Sequence, residues 1–80
     1  MAHDIMIKGE MREAKGNSLV DFLATAELRR GDDIIPCEVG FYEVRGNMIP
    51  AYAFIKEGIT AKGNHYCSET IEIDFWNDFR

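Results

Sequence analysis

The chain has little of what several classes of protein require. It contains only two prolines and two cysteines in 80 residues. No run of about 18 apolar residues is present, so we expect no membrane-spanning segment. Residues 1–4 lack the basic region and apolar run of a secretion signal. Two cysteines without such a signal predict a cytoplasmic protein with free thiols.

Recognisable catalytic motifs are also lacking. The sequence has no glycine-rich phosphate loop that opens a helix, no nucleophile–base–acid set and no carboxylate pair at a meaningful spacing. His65, Cys67 and Cys37 would supply three ligands of the zinc type, but a structural zinc site normally takes four at characteristic spacings. We therefore expect no enzyme, no metal and no other cofactor.

Positive charge is scarce. The chain has 14 acidic and 9 basic side chains, which gives a net charge of −5. Non-specific nucleic-acid binding draws its affinity from the neutralisation of phosphates by Lys and Arg, so this balance counts against it. The local field in a groove matters more than the total charge, however, so the class is not excluded.

The composition that is present belongs to a folded protein, with 46% hydrophobic and 11% aromatic residues. Disordered chains have fewer apolar residues and more net charge. A chain of this length forms one domain, predicted at residues 1–76, followed by a short tail at 77–80. Its core must be small, and a small core favours self-association, so we expect a homo-oligomer.

Glycine occurs in a regular pattern in which a basic residue, Gly and then Asn or Asp follow one another. The four triplets are Lys15-Gly16-Asn17, Arg30-Gly31-Asp32, Arg45-Gly46-Asn47 and Lys62-Gly63-Asn64. Gly reaches positive φ without steric cost and Asn or Asp tolerates it, so each triplet predicts a hairpin-type turn. Five segments of strand length lie around these turns, which is typical of a small barrel or sandwich.

Apolar and polar residues alternate in these segments, as they do in half-buried strands. The predicted strands cover residues 4–12, 19–28, 34–44, 48–55 and 66–76. The face predicted to be buried in the second strand comprises Val20, Phe22, Ala24, Ala26 and Leu28. The alternative is an α+β fold with one helix at about 19–30, because Ser18 is a possible N-cap and the segment is rich in helix-favouring residues.

Several segments carry a family resemblance through their order and spacing. They are Ile5-Met6-Ile7-Lys8-Gly9-Glu10-Met11 with its bend glycine, Val20-Asp21-Phe22-Leu23-Ala24-Thr25, Cys37-Glu38-Val39-Gly40-Phe41, Ala53-Phe54-Ile55-Lys56-Glu57-Gly58, Ala61-Lys62-Gly63-Asn64-His65-Tyr66, and Thr70-Ile71-Glu72-Ile73. Over residues 4–74 they resemble the OB-fold domain of the single-stranded DNA-binding protein family, as a shortened divergent member.

That resemblance implies an all-β fold, a five-stranded antiparallel small barrel that is OB-fold-like. It also implies sequence-tolerant binding of single-stranded DNA in replication, recombination or repair, in a protein compatible with a phage or plasmid origin. Such binding needs aromatic faces for the bases and a basic groove along the backbone. The candidate stacking residues are Phe41, Tyr42, Tyr52, Phe54 and Tyr66. The candidate phosphate contacts are Lys8, Lys15, Arg29, Arg30, Arg45, Lys56 and Lys62.

Strand alternation restricts which of these aromatic residues face outward. If Phe41 points to the core, Tyr42 points away from it. Tyr52 and Phe54 share one face of their strand, and the opposite face is predicted to carry Ile49, Ala51, Ala53 and Ile55. The ordinary alternatives are that the aromatic residues are core and that the basic residues are solvated turn charges.

The last predicted strand and the tail suggest a second class of function. Their acidic residues and one tryptophan are Glu69, Glu72, Asp74, Trp76 and Asp78. By analogy with phage-encoded inhibitors and adaptors, an acidic face with an aromatic residue can dock a basic protein partner or mimic DNA. The ordinary alternative is the solvated outer face of an edge strand, which charges protect from aggregation.

Overall fold

The computed structural model describes residues 4–74, and antiparallel strands dominate this part of the chain. The strands are β1 Asp4–Ile7, β2 Arg12–Glu13, β3 Phe22–Arg30, β4 Asp33–Val44, β5 Asn47–Ile55, β6 Gly58–Ile59, β7 His65–Tyr66 and β8 Glu69–Glu72. The predicted all-β class is confirmed. The alternative helix at 19–30 is wrong, because β3 occupies most of that segment. Between residues 4 and 74 no helix has the length and apolar character needed to cross a membrane.

The main sheet follows the path β1-β3-β4-β5-β8, and β2 pairs with β3 beyond the end of β1. All of these pairings are antiparallel, while β6 and β7 form a separate two-stranded sheet. The described path begins at β1 and ends at β8, so a closed barrel is not shown. An OB fold is a Greek-key barrel, and that topology likewise stays a prediction.

Two of the predicted turns join strands of the main sheet directly. The β4–β5 hairpin closes at the Val44–Asn47 pair, and its two loop residues, Arg45 and Gly46, have φ of 53° and 81°. Positive φ at both loop positions defines a type I′ turn, whose twist matches that of the strands. The β3–β4 loop is Gly31-Asp32, and Gly31 has φ of 62°. Gly16 and Gly63 also have positive φ.

The core lies on one face of the main sheet and consists mainly of small and branched residues. Its buried members are Ile5, Ala24, Ala26, Leu28, Ile35, Cys37, Val39, Phe41, Ala53 and Ile55. The alternation predicted for the second and third strands is therefore correct from Ala24 to Leu28 and from Ile35 to Phe41. A helix would have buried Leu19 with Ala26, but Leu19 is 45% exposed. Pairing along β4 overrides the helical propensity of this segment.

A β-bulge interrupts the regular alternation in β5. Phe41 pairs with Pro50 while Gly40 pairs with Tyr52, so Ala51 is an extra residue without a partner on β4. Pro50 has no backbone N–H to donate to the strand ladder, and the bulge interrupts the ladder beside it, so a proline is tolerated there. It also turns Ile49 to the face of Tyr42 and Tyr52. The prediction that Ile49 lies opposite Tyr52 is wrong for this reason.

Two predicted strands are shorter than expected. The segment 4–12 divides into β1 and β2, because the backbone N–H groups of Lys8 and Gly9 both donate to the Thr25 carbonyl oxygen, at 2.8 and 3.1 Å. One carbonyl that serves two donors breaks the regular ladder. The segment 66–76 divides into β7 and β8. The predicted domain end at 76 and the tail at 77–80 lie outside the described residues.

The two cysteines occupy different environments. Cys37 is buried in the core and Cys67 is exposed, and both are free thiols. Between residues 4 and 74 no group of three His, Cys, Asp or Glu side chains is placed to hold a metal ion. Desolvation, and secondly the negative charge of Glu27, raises the pKa of the Cys37 thiol to about 11.

We expect iodoacetamide to alkylate Cys67 but not Cys37 in the native protein at about pH 8, because only a thiolate is nucleophilic. Mass spectrometry should show one adduct on the native protein and two adducts on the protein unfolded in urea. The Cys37 thiol is neutral in both the folded and the unfolded state below its ordinary pKa of 9.0, so the stability is unaffected there; as pH rises from 9.0 through about 11 the unfolded thiol ionises first and the folded state loses stability. Rapid double labelling of the native protein would contradict the buried position of Cys37.

Candidate nucleic-acid interface

Three aromatic side chains lie together on the face of the main sheet opposite the core, which we call the outer face. Tyr42, Tyr52 and Phe54 form an aromatic row: the ring centroids of Tyr42 and Tyr52 are 6.4 Å apart at 78°. Those of Tyr52 and Phe54 are 6.0 Å apart at 33°. Tyr42 is 38% exposed and the other two are half-buried. Strand alternation predicted that Tyr52 and Phe54 would share a face, and the structure adds Tyr42 from β4.

The other two predicted stacking residues are not in the row. Phe41 is 7% exposed and packs in the core, so it offers no face to a base. Tyr66 on β7 is half-buried against the core. Its hydroxyl oxygen lies 2.5 Å from the position that a Cβ on Gly58 would take. Burial therefore removes Phe41 from a stacking role. Tyr66 is excluded from the row by its position, because it lies in the separate β6–β7 sheet and packs against Gly58.

The loop between β2 and β3 borders the row. The Asn17 side-chain oxygen accepts hydrogen bonds from the backbone N–H groups of Leu19 and Val20, at 2.8 and 3.2 Å. The Asp21 N–H donates to the Phe41 carbonyl oxygen at 2.8 Å, and its carboxylate accepts from the Glu43 N–H at 2.9 Å. These bonds fasten the loop to β4.

Val20 lies at the end of this loop, before the first residue of β3. Its methyl groups lie beside Gly40 on the outer face, and it is not part of the core cluster. The prediction that Val20 shares the buried face of Phe22 and Ala24 is therefore wrong. The alternation of a strand does not extend into the loop that precedes it.

Four of the seven predicted phosphate contacts form ion pairs with carboxylates. These pairs are Lys8–Glu27 at 3.9 Å, Arg29–Asp4 at 3.7 Å, Arg30–Glu69 at 3.5 Å and Lys62–Asp32 at 3.8 Å. Exposed pairs of this kind contribute only about 0–1 kcal/mol. Their charges are nevertheless locally balanced, so they add little positive potential for a phosphate chain.

The remaining predicted cations, Lys15, Arg45 and Lys56, have no carboxylate partner within the described part of the chain. Arg45 lies at the tip of the β4–β5 hairpin, beyond Tyr42. Lys56 follows β5 and lines a shallow depression of about 420 Å³ together with Phe54, Thr25 and Pro36. Beyond each end of the aromatic row there is therefore a cation that no carboxylate of residues 4–74 neutralises.

Carboxylates also border the row. Glu38 is the cross-strand partner of Phe54 and Glu72 is that of Tyr52. The Arg12 guanidinium forms an ion pair with the Glu38 carboxylate, so Glu38 is neutralised. Among residues 4–74, no cation pairs with Glu72. The sequence does not predict this role of Arg12, because nothing in the local pattern shows that β2 pairs with β3, from where the Arg12 side chain reaches across β3 to Glu38 on β4.

The Tyr42 phenol is held in its neutral form. A hydrogen bond with the Tyr52 side chain, followed by desolvation and by the negative charges of an ionised Tyr52 and of Asp21, raises the pKa of Tyr42 above its ordinary value. Its hydroxyl therefore remains a hydrogen-bond donor at neutral and moderately alkaline pH. An uncharged phenol is also the form that does not repel a phosphate.

The acidic face predicted for the C-terminal part is divided by the strand register. Glu72 pairs with Tyr52 on the outer face, whereas Glu69 pairs with Ile55, whose side chain points to the core side. Glu69 also forms the ion pair with Arg30. The prediction of one face shared by Glu69 and Glu72 is wrong, because the two residues are three positions apart and only residues an even number of positions apart share a face of a strand. Trp76 and Asp78 lie outside the described residues.

Comparisons of the chain with known protein families, with curated proteins and with solved structures find no match. The resemblance to single-stranded DNA-binding proteins therefore stays a prediction, carried by the sequence segments alone.

Proposed function

We propose that this protein binds single-stranded DNA with little sequence preference through the aromatic row. The observation that carries the proposal is the grouping of Tyr42, Tyr52 and Phe54 on the outer face. Beyond its two ends lie Arg45 and Lys56, which pair with no carboxylate of the described residues. Sequence-tolerant proteins of this kind combine aromatic platforms for the bases with cations for the backbone. A sheet holds such platforms in place without further ordering, which limits the entropic cost of binding.

The ring spacing sets how a strand would lie on the row. The centroids are 6.0 and 6.4 Å apart, well above the roughly 3.4 Å step of stacked bases along one strand. Bases on neighbouring rings are therefore unstacked from one another, and each stacks on a protein ring instead. Every base has a π face, so this mode tolerates any sequence.

Stacking supplies most of the affinity in this arrangement. Each base–aromatic stack contributes about 1–3 kcal/mol. Three stacks approach the roughly 8 kcal/mol that corresponds to a micromolar dissociation constant, before the costs of immobilising the strand. We therefore expect binding no tighter than micromolar per protomer. A homo-oligomer, predicted from the sequence, would raise the apparent affinity by presenting several rows.

The salt dependence of binding tests the proposal. Titration of the protein with labelled oligo-dT should show that log K falls as log salt rises, with a slope no steeper than about −2. The predicted phosphate contacts include three cations without a carboxylate partner among residues 4–74, and each releases about 0.7 counterions. Lys56→Ala should make this slope shallower by about 0.7. Lys62→Ala is the matched control, because Lys62 is already paired with Asp32, and it should leave the slope unchanged.

A complete absence of oligo-dT binding at about 20 mM salt, where electrostatic attraction is strongest, would reject single-strand binding. A slope much steeper than −2 would instead show that the carboxylate-paired cations also contact phosphates. Their ion pairs with carboxylates would then have to break when DNA binds.

Docking of a basic protein is the second candidate, and Glu72 favours it. Its carboxylate adjoins Tyr52 without a cationic partner among the described residues, and an aromatic ring beside a carboxylate suits a Lys or Arg side chain. An oligolysine peptide in the same titration separates the two functions. Peptide binding that Glu72→Gln abolishes, with no oligo-dT binding, would support docking. The cytoplasmic location and the phage or plasmid origin stay predictions from the sequence.

A further inference from the structure

Gly40 lies in the interior of β4, at the centre of the outer face. Its cross-strand neighbours are Leu23 on β3 and Tyr52 on β5. Its φ is not positive, so the backbone does not require glycine here. Glycine inside a strand costs about 0.5–1 kcal/mol relative to alanine. Such a residue typically marks a close approach by another group.

The space that a side chain at position 40 would need is occupied from two sides. A Cβ on Gly40 would lie 2.6 Å from Cγ1 and 2.9 Å from Cγ2 of Val20. It would also lie 2.8 Å from Cε2 of Phe54. Favourable carbon–carbon contacts are at about 3.5–4.0 Å, so no side chain fits there unless Val20 and Phe54 move. The Phe54 ring therefore reaches across onto β4.

We infer that Gly40 is a positioning residue of the interface: its missing side chain lets the Phe54 ring lie across β4, inclined by only 33° to Tyr52. The two rings then form one platform for neighbouring bases. Val20 supports the ring edge from the other side. This inference rests on the proposed function, and it assigns a role to two residues that would not touch DNA themselves.

Gly40→Ala tests the inference. The methyl group should displace the Phe54 ring and weaken oligo-dT binding about tenfold, within the range for one lost stack. Val39→Ala is the matched control: Val39 is the preceding residue and is fully buried on the core face, so this change should lower the free energy of unfolding but leave the affinity within about twofold. Adding Val20→Ala to Gly40→Ala should restore part of the lost affinity, since it frees space beside the new methyl group.

A structural readout without DNA accompanies these titrations. A nuclear Overhauser effect between the Val20 methyl protons and the Phe54 ring is expected in the free protein and should weaken in Gly40→Ala. Its absence from the unmodified protein overturns the inference. A folded Gly40→Ala variant that binds oligo-dT normally, or a failure of Val20→Ala to restore binding, also overturns it. If Gly40→Ala does not fold, Val20→Ile must weaken binding by crowding the same space.

These outcomes separate the inference from the proposed function. If the unmodified protein binds no oligo-dT while the Overhauser effect is present, the proposed function fails and the binding role of Gly40 fails with it. If the unmodified protein binds oligo-dT and the Gly40 variants bind it with the same affinity, the proposal of single-strand binding stands and only the positioning role of Gly40 is rejected.

Discussion

Replacement of Phe54 or Tyr52 by alanine is expected to weaken the binding of oligo-dT by about 5- to 150-fold each, the equivalent of one stack of 1–3 kcal/mol. The two rings are inclined by only 33° to each other, so we expect them to act as one platform for neighbouring bases. Tyr42→Ala should cost less, since its ring stands nearly perpendicular to that of Tyr52. Fluorescence anisotropy with labelled oligo-dT at constant salt measures all three changes.

Ile49→Ala is the matched control for these variants. Ile49 is a large apolar residue on the same face, opposite Tyr42, and it is 43% exposed, but it has no π face. Its replacement should change the affinity by less than about twofold, as for a surface substitution away from the stacking contacts. An equal loss from Ile49→Ala and Phe54→Ala would show that general apolar contact, and not stacking, drives binding. Unchanged affinity in both Phe54→Ala and Tyr52→Ala would reject the aromatic row as the binding site.

The features that the sequence predicts correctly are local. The turn follows from the triplet Arg45-Gly46-Asn47, although the positive φ angles fall on Arg45 and Gly46 and not on Asn47, which is the first residue of β5. The burial of Ile35 and Val39 follows from alternation along a single strand. The shared face of Tyr52 and Phe54 is a consequence of the same period of two. Each of these inferences needs only residues that are neighbours in the chain.

The features that the sequence does not predict depend on register between strands. The bulge at Ala51 shifts Ile49 to the other face of the sheet. Among the neighbours of Ala51 in the chain, only Pro50 is a residue that suggests a bulge. The Arg30–Glu69 ion pair joins residues 39 positions apart, and it balances a cation that the sequence offers as a phosphate contact. Because a one-residue change of register moves every side chain to the opposite face, charge pairing across strands can be assigned only after the pairing is known.

Adjacent isoleucines on β4 allow the register itself to be tested. Ile35 is 2% exposed in the core, whereas Ile34 is 45% exposed on the outer face. Ile35→Ala should therefore lower the free energy of unfolding by about 2–5 kcal/mol, through lost burial and the cavity that remains. The same change at Ile34 should cost no more than about 1 kcal/mol, the span of strand propensity. The two substitutions remove identical atoms, so the difference between them reports burial alone.

For a chain of 80 residues, a total stability of about 4–12 kcal/mol is expected, so Ile35→Ala removes a large fraction of it. Urea denaturation followed by circular dichroism gives both free energies, provided that the slope with denaturant is unchanged. Equal losses at the two positions would mean that both faces of β4 are covered at this point, for example by a second protomer over Ile34. A larger loss at Ile34 than at Ile35 would place the core on the other face, and the aromatic row would then be buried and unable to bind a strand.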